Sequence, residues 1–217
     1  MKAMPSLARR LGSSALAAGL ALGAWTAATA EASLPQAAAD ARHTATQVCG
    51  ACHGADGNSP NSAVPSLAGQ NPEYLYDQLL QFAAQGHRRA NGVMGAMAVN
   101  LSHEQMRALA DYFSYQTLKP VPLSGRSAAA KGEAIYQDGI ARRGVPACAS
   151  CHGNRGEGLA PSFPRLAGQH APYVEAELKQ FRDGRRASDP HAFMRAISSR
   201  LSNAEIEQVA DFVARLR

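Results

Sequence analysis

The 217-residue chain has few charged, aromatic and cysteine residues. Charged side chains make up 18% of it, which is too few for a chain kept disordered by its charge. Four cysteines are too few for a disulfide-dense mini-protein, and 19 glycines and 12 prolines are close to average, so a collagen-like or low-complexity chain is excluded. After the N-terminal segment, no apolar stretch reaches the length of a membrane span. The length therefore allows one ordinary domain or two small ones.

Residues 1–30 have the composition of a signal peptide for export. Lys2, Arg9 and Arg10 precede an apolar, Ala-rich stretch, and the small-x-small sequence Ala-Thr-Ala ends at Ala30. We predict cleavage after Ala30 or Ala32, because the stretch is weakly hydrophobic for the alternative, an uncleaved membrane anchor. The remaining chain has a net charge of only +2, so we predict no nucleic-acid partner.

The rest of the chain is a tandem duplication. The sequence Cys-x-x-Cys-His begins at Cys49 and again at Cys148, an offset of 99. At this offset Leu-Ala-Gly-Gln and a preceding Pro also coincide, and after a one-residue insertion the offset becomes 100. The repeat is too long for a solenoid unit, so it predicts two domains. We place them at residues 31–117 (the first half) and 127–217 (the second half), joined by a Pro- and Gly-containing linker at residues 118–126.

Each half is predicted to be helical, which makes the fold class all-α. Residues 73–85 carry apolar side chains near helical spacing. Ser102 and Gln105, like Ser202 and Glu205, have the spacing of a capping box, and each pair opens an amphipathic run. No sustained alternation predicts a sheet, and shorter helices are expected at residues 40–48 and 128–137. A few short helices form a marginal core, so something else should fill the centre of each half.

The two Cys-x-x-Cys-His motifs, which contain all four cysteines, indicate covalent haem. Disulfides, one zinc site with four thiolates and two thioredoxin-like motifs are alternatives, but none explains the adjacent His in both copies. Two thiols at this spacing can form thioethers with the vinyl groups of one porphyrin, and the His can bind its iron. We therefore predict two haem c groups, attached at Cys49, Cys52, Cys148 and Cys151, with His53 and His152 as iron ligands.

The second axial ligand of each iron should occur in both copies of the repeat. Met94 coincides with Met194, whereas Met97 coincides with Ile197, so Met94 and Met194 are preferred. Core packing is the expectation for Met97 and Met106. Ligation by His and Met raises the reduction potential and leaves no open site for oxygen or peroxide, which favours an electron carrier over an enzyme. We expect the remaining histidines to be surface residues: His43, His87, His103, His170 and His191.

Pro65 and Pro164 both lie twelve residues after the predicted iron-binding His of their half. A ligating His usually donates its free ring N–H to a carbonyl, and proline offers a carbonyl on a rigid turn. The alternative interpretation is that these two prolines only form turns in a loop.

Taken together, the duplicated Cys-x-x-Cys-His-Gly-x-x-Gly, Pro-x-Leu-Ala-Gly-Gln and Met seven residues before Leu-Ser closely resemble the dihaem cytochrome c4 family. The resemblance covers nearly the whole chain after residue 40. It implies two class I cytochrome c domains with facing haem edges, His53 and Met94 on one iron, His152 and Met194 on the other, and the carbonyl role for Pro65 and Pro164. It also implies a periplasmic electron carrier that serves membrane respiratory complexes and a terminal oxidase or reductase, often with peripheral membrane association.

Two other functions would use similar residues. A cytochrome subunit of a flavoprotein or alcohol dehydrogenase complex would carry the same motifs. A dihaem peroxidase needs one iron with an open coordination position, and the Met retained in both halves counts against it.

The two halves differ in charge. Residues 31–117 have net charge −3 and residues 127–217 have net charge +3. Such a charge dipole could steer one end of the protein to each redox partner. The alternative is that chance variation of surface residues produced the difference in charge. Because positive surroundings favour the reduced state, we predict the higher potential for the second haem.

Overall fold

The computed structural model describes residues 34–84, 89, 91–123 and 129–217, so the predicted signal peptide lies outside the described residues. This part of the chain is helical, as predicted, and β-structure within it is limited to isolated bridges. The first half contains α1 (Leu34–Thr44), a π-helical turn (Ala45–Cys49), α2 (Gly50–His53), α3 (Pro72–Ala83), α4 (Gly92–Ala98) and α5 (His103–Ser114). The second half contains α6 (Ala129–Asp138), a 3-10 turn (Ala141–Arg143), α7 (Ala149–His152), α8 (Ala171–Arg182), a 3-10 turn (Pro190–Ala192), α9 (Phe193–Ser198) and α10 (Asn203–Val213).

Both predicted capping boxes are confirmed. The Ser102 hydroxyl accepts the Gln105 N–H at 3.2 Å, and the Ser102 N–H donates to the Gln105 side chain at 2.9 Å. Ser202 and Glu205 repeat this arrangement at the start of α10. Two backbone N–H groups at each helix start are thereby satisfied, which fixes where α5 and α10 begin.

Each half has its own apolar core around its last long helix. In the first half, α3, α5 and the π-helical turn pack together through Ala45, Leu75, Leu109 and Phe113. In the second half, α10 packs against α6 and α8. The cysteines Cys49 and Cys148 lie at the margins of these two cores, so burial of the apolar faces positions the motifs.

Helix boundaries differ modestly from the predicted ones. The helix predicted at residues 73–85 spans Pro72–Ala83, because the Asn71 side chain caps its start and Pro72 occupies its first turn. The helix predicted at residues 40–48 is longer, and it continues through the π-helical turn into α2. The short helices α4 and α9 were not predicted, since six or seven residues carry too little periodicity to detect.

The described part of the predicted linker, residues 118–123, is non-helical but packed. Val121 is buried and belongs to the core of the second half. Lys119 contacts the first half, where its ammonium lies 2.5 Å from the Asp56 carboxylate.

None of the described helices is both long and apolar enough to cross a membrane.

Candidate haem sites

The three motif residues of the first half lie on consecutive turns of helix. Cys49 ends the π-helical turn, and Cys52 and His53 lie on α2. Cys49 is partly buried and Cys52 is exposed, whereas His53 is buried at 7% exposure. Both thiols are therefore on one short stretch of helix, and the imidazole beside them points into the protein.

The second half repeats this arrangement. Cys148 is the N-cap of α7, and Cys151 and His152 lie on that helix. His152 is buried at 8% exposure. Burial raises the pKa of the free Cys148 thiol to about 11. The pKa of Cys49 is also raised by burial.

In both halves the ring of the motif histidine is held by a proline carbonyl. The Nδ1–H of His53 donates to the Pro65 carbonyl oxygen at 2.9 Å, and that of His152 donates to the Pro164 carbonyl at 3.0 Å. Burial lowers the pKa of both histidines, which favours the neutral imidazole. Because Nδ1 carries the proton, the lone pair is on Nε2 and is available to a metal.

The same backbone contacts occur in both halves and place these proline carbonyls. The Gly57 carbonyl accepts the N–H groups of Leu67 and Ala68 at 2.7 and 3.1 Å. The Gly156 carbonyl accepts those of Leu166 and Ala167 at 2.8 and 2.9 Å. Each loop is thereby closed two and three residues after its proline.

The glycine that follows each motif His is required by the geometry. Gly54 and Gly153 end their helices with φ of 79° and 84°. A Cβ on Gly54 would lie 2.3 Å from the Asn58 carbonyl oxygen, and one on Gly153 would lie 2.3 Å from the Glu157 carboxylate. Only glycine allows the chain to turn back here towards the proline.

Two of the alternatives to haem, disulfides and one zinc site shared by both motifs, are not formed among the described residues. All four cysteines lie within the described residues and none is in a disulfide. The described residues also contain no group of three or more His, Cys, Asp or Glu side chains that could hold a metal ion. A zinc site with four thiolates would need the two motifs to meet, and they do not.

The candidate methionines lie on the two short helices. Met94 is half-buried near the start of α4, where its backbone N–H donates to the Asn91 side chain at 3.1 Å. Met194 is half-buried in the first turn of α9. Met106 is a core residue at 3% exposure, as expected. The expectation of core packing is wrong for Met97, which is 51% exposed, because the adjacent Ala98 occupies the buried position of α4.

One of the remaining histidines also contradicts its prediction. His43, His103 and His191 are exposed, as expected, and His87 lies outside the described residues. His170 is buried at 3% exposure, and its Nε2–H donates to the Ser59 carbonyl at 3.0 Å. It is buried because the two halves pack together here: Ser59 belongs to the first half.

A buried cluster of charges between the halves was missed by sequence reasoning. Arg89 and Arg186 are 7% and 6% exposed, and both contact the carboxylate of Glu177. Arg89 also donates to Tyr173 at 2.9 Å, and Arg186 donates to Tyr74 at 3.0 Å. The two arginines are 97 residues apart rather than 99, so they do not coincide in the repeat.

These residues fit haem c in two respects. Each motif offers two unpaired thiols on one stretch of helix, which can form two thioethers with one porphyrin. Each also offers a buried imidazole whose orientation and protonated nitrogen are already fixed by a carbonyl.

Comparison with known proteins agrees with this chemistry. The Cytochrome c family model matches residues 38–116 and again residues 129–217. Fold, motifs and this double match define a c-type cytochrome with two domains, each carrying one covalently bound haem c. Cytochrome c4 of Thiocapsa roseopersicina is 43% identical over 169 residues, which cover 76% of this chain and 85% of that protein. The chain belongs to the cytochrome c4 family.

Two further relatives extend the comparison. The thiosulfate dehydrogenase electron acceptor of Thiomonas intermedia is 42% identical over 169 residues, covering 76% of this chain and 77% of that protein. The crystal structure of reduced recombinant cytochrome c4 from Pseudomonas stutzeri has a TM-score of 0.78 and 36% identity, covering 83% of this chain and 98% of that one. The chain is thus a dihaem cytochrome of an electron-transfer family.

Proposed function

We propose that the protein is a periplasmic carrier that moves single electrons from respiratory donors to a terminal oxidase or reductase. The observation that carries this proposal is the repeated site: in each half, a Cys-x-x-Cys-His helix presents a buried His whose Nδ1–H is held by a proline carbonyl. A bound haem supplies an iron that changes by one electron between its ferrous and ferric states. The protein's own task is to hold that iron in one ligand geometry in both states.

The proposed axial ligands are His53 and Met94 in the first half and His152 and Met194 in the second. In each half a proline carbonyl accepts the Nδ1–H of the motif histidine, so the orientation of the ring is fixed before an electron arrives. If these four side chains hold the two irons, no coordination position would be left open to a substrate. This supports a carrier rather than an enzyme, as does membership of a family of electron carriers.

The proposal also includes the organisation of the chain. Residues 1–30 are a signal peptide that directs export to the periplasm, where the thioether bonds form. Residues 31–117 and 127–217 are the two cytochrome domains, and residues 118–126 join them. Partners are redox proteins of the membrane, which an exported carrier can reach with or without peripheral association with the lipid surface.

Three methionine variants test the proposed ligation. Met94→Ala and Met194→Ala should each remove half of the methionine-to-iron charge-transfer absorption of the ferric protein, because each removes one thioether ligand. Met97→Ala is the matched control on the same helix, and it should leave this band intact. Mass spectrometry of the purified protein should find the chain without residues 1–30 plus two haems. A colourless product, or loss of the band in Met97→Ala alone, would contradict the assignment.

A second function is favoured by one comparison. A relative with 42% identity is named as a thiosulfate dehydrogenase electron acceptor, so the donor of this protein could be a sulfur-compound dehydrogenase with which it forms a complex. Reduction of the purified protein by such a dehydrogenase, together with co-elution of the two, would support that function. Rapid reduction by a quinol-oxidising membrane complex without co-elution would support the general carrier.

A further inference from the structure

Two glutamines cross between the halves and bind the backbone of the opposite half. Gln169, in the second half, accepts the N–H of Ser66 at 2.9 Å and donates to the Ser66 carbonyl at 2.9 Å. Gln70, in the first half, accepts the N–H of Arg165 at 2.7 Å and donates to the Arg165 carbonyl at 2.8 Å. The two contacts are equivalent under the repeat, so the arrangement is reciprocal.

The peptide units that the glutamines bind are the same units that hold the histidines. The Ser66 N–H and the Pro65 carbonyl belong to one peptide group, and that carbonyl accepts the proton of His53. In the second half, the peptide group of Pro164 and Arg165 connects His152 with Gln70 in the same way. Each histidine is therefore linked through one peptide group to a side chain of the other half.

The linkage has a direct electronic consequence. When the N–H of a peptide group donates a hydrogen bond, its carbonyl oxygen becomes more negative and a stronger acceptor. A stronger acceptor draws the Nδ1 proton of the histidine, which makes the ring a more basic ligand. A more basic ligand stabilises the ferric state over the ferrous state and so lowers the reduction potential.

We infer that Gln70 and Gln169 are positioning residues that lower the potential of the haem in the opposite half, each by polarising the peptide group that holds the motif histidine there. This inference rests on the proposed roles of His53 and His152 as iron ligands. One electron enters or leaves, and no covalent bond is made or broken.

Two features of the contacts suit this role. Both glutamines are 8% exposed, so their hydrogen bonds are shielded from competing water. Each side-chain oxygen also accepts the N–H of its own neighbouring residue, at 2.9 Å in Gln70 and 3.1 Å in Gln169, which fixes its direction. Because only backbone atoms are bound, the residue after the proline is free to differ, and it is Ser66 in one half and Arg165 in the other.

The test is a crossed pair of substitutions in the dihaem protein. Gln169→Met should raise the midpoint potential of the first-half haem, and Gln70→Met should raise that of the second-half haem. A hydrogen bond from a peptide N–H strengthens the bond accepted by the carbonyl of the same peptide group by about 10–30%. We therefore expect loss of the glutamine contact to change the equilibrium constant for reduction about twofold. This corresponds to ~18 mV for a one-electron couple at about 59 mV per tenfold change. Met94→His and Met194→His identify which midpoint belongs to which half.

A second readout follows the histidine itself. In the ferrous Gln169→Met protein, the NMR resonance of the His53 Nδ1 proton should move upfield as its hydrogen bond weakens, and that of His152 should not. His170→Leu is the matched control, since it removes a neighbouring bond between the halves, to the Ser59 carbonyl, without touching the Pro65 peptide group. It should leave both potentials unchanged.

The outcomes separate this inference from the proposed function. If the unsubstituted protein has two His/Met haems but neither glutamine variant shifts the opposite midpoint, the inference is wrong and the proposed function stands. The same holds if His170→Leu shifts the first-half midpoint as much as Gln169→Met does, because the glutamine would then act only by joining the halves. Absence of the methionine-to-iron band in the unsubstituted protein would instead refute the proposed ligation. Should Gln169→Met not incorporate haem, Gln70→Met tests the same inference on the haem of the second half.

Discussion

The carboxylate of Glu177 is expected to be one of the strongest single determinants of stability in this protein. It lies between the guanidinium groups of Arg89 and Arg186, which belong to different halves of the chain. Both arginines are nearly buried, and Glu177 is 14% exposed at its side chain. Glu177→Gln keeps the shape of the side chain and removes the charge, which leaves two cations facing each other out of water.

The magnitude follows from the partners that would remain. Removing one partner of a buried ion pair costs about 3–5 kcal/mol. Hydrogen bonds from Arg89 to Tyr173 and from Arg186 to Tyr74 persist in the variant, and each arginine also stacks on a Phe ring. We therefore expect a loss near the lower limit, about 3 kcal/mol. For a chain of this size that corresponds to a fall of roughly 6–12 °C in Tm.

The repeat supplies a matched control for this experiment. Gln78 occupies the position of Glu177 in the first half, and it contacts both arginines. The double variant Gln78→Glu, Glu177→Gln moves the carboxylate across the interface and restores the charge balance, so it should recover most of the lost Tm. Thermal unfolding followed by circular dichroism measures both proteins. A fall of less than about 2 °C in Glu177→Gln would refute the reasoning, as would a double variant no more stable than the single one.

Three further expectations concern other parts of the chain. The hydrogen bond from Lys119 holds the pKa of Asp56 below its usual range, so this pair stabilises the fold above the unfolded-state pKa of Asp and ceases to do so as pH falls through the folded-state pKa. Lys119→Met should thus cost about 0.2–1 kcal/mol at neutral pH and nothing in acid, and an equal cost at both pH values in urea unfolding would contradict this. Gly54→Ala should lower stability by roughly 1–3 kcal/mol and reduce haem incorporation, which haem content per chain would measure. Potentiometry should assign the higher midpoint to the second haem; the reverse order would show that local contacts outweigh net charge.

Much of the architecture could be predicted because its signals are local. The capping boxes at Ser102 and Ser202 are four-residue patterns, and the long helices have the periodicity of an apolar face. Helix α4 has seven residues and α9 has six, so neither repeats its pattern often enough to be seen. The exposure of Met97 was mispredicted for the same reason, because in a helix this short only packing decides which side is covered.

The amino-acid sequence by itself determined the chemistry of each half: the spacing of Cys49, Cys52 and His53, their repetition 99 residues later, and the helical class of the fold. Those features depend on covalent geometry and on residues a few positions apart. Only the tertiary structure decided how one half contacts the other. The contacts of His170, Glu177 and the reciprocal glutamines each join residues about 90 to 110 positions apart. No local pattern encodes such a contact, because it exists only when the surfaces of the two halves meet.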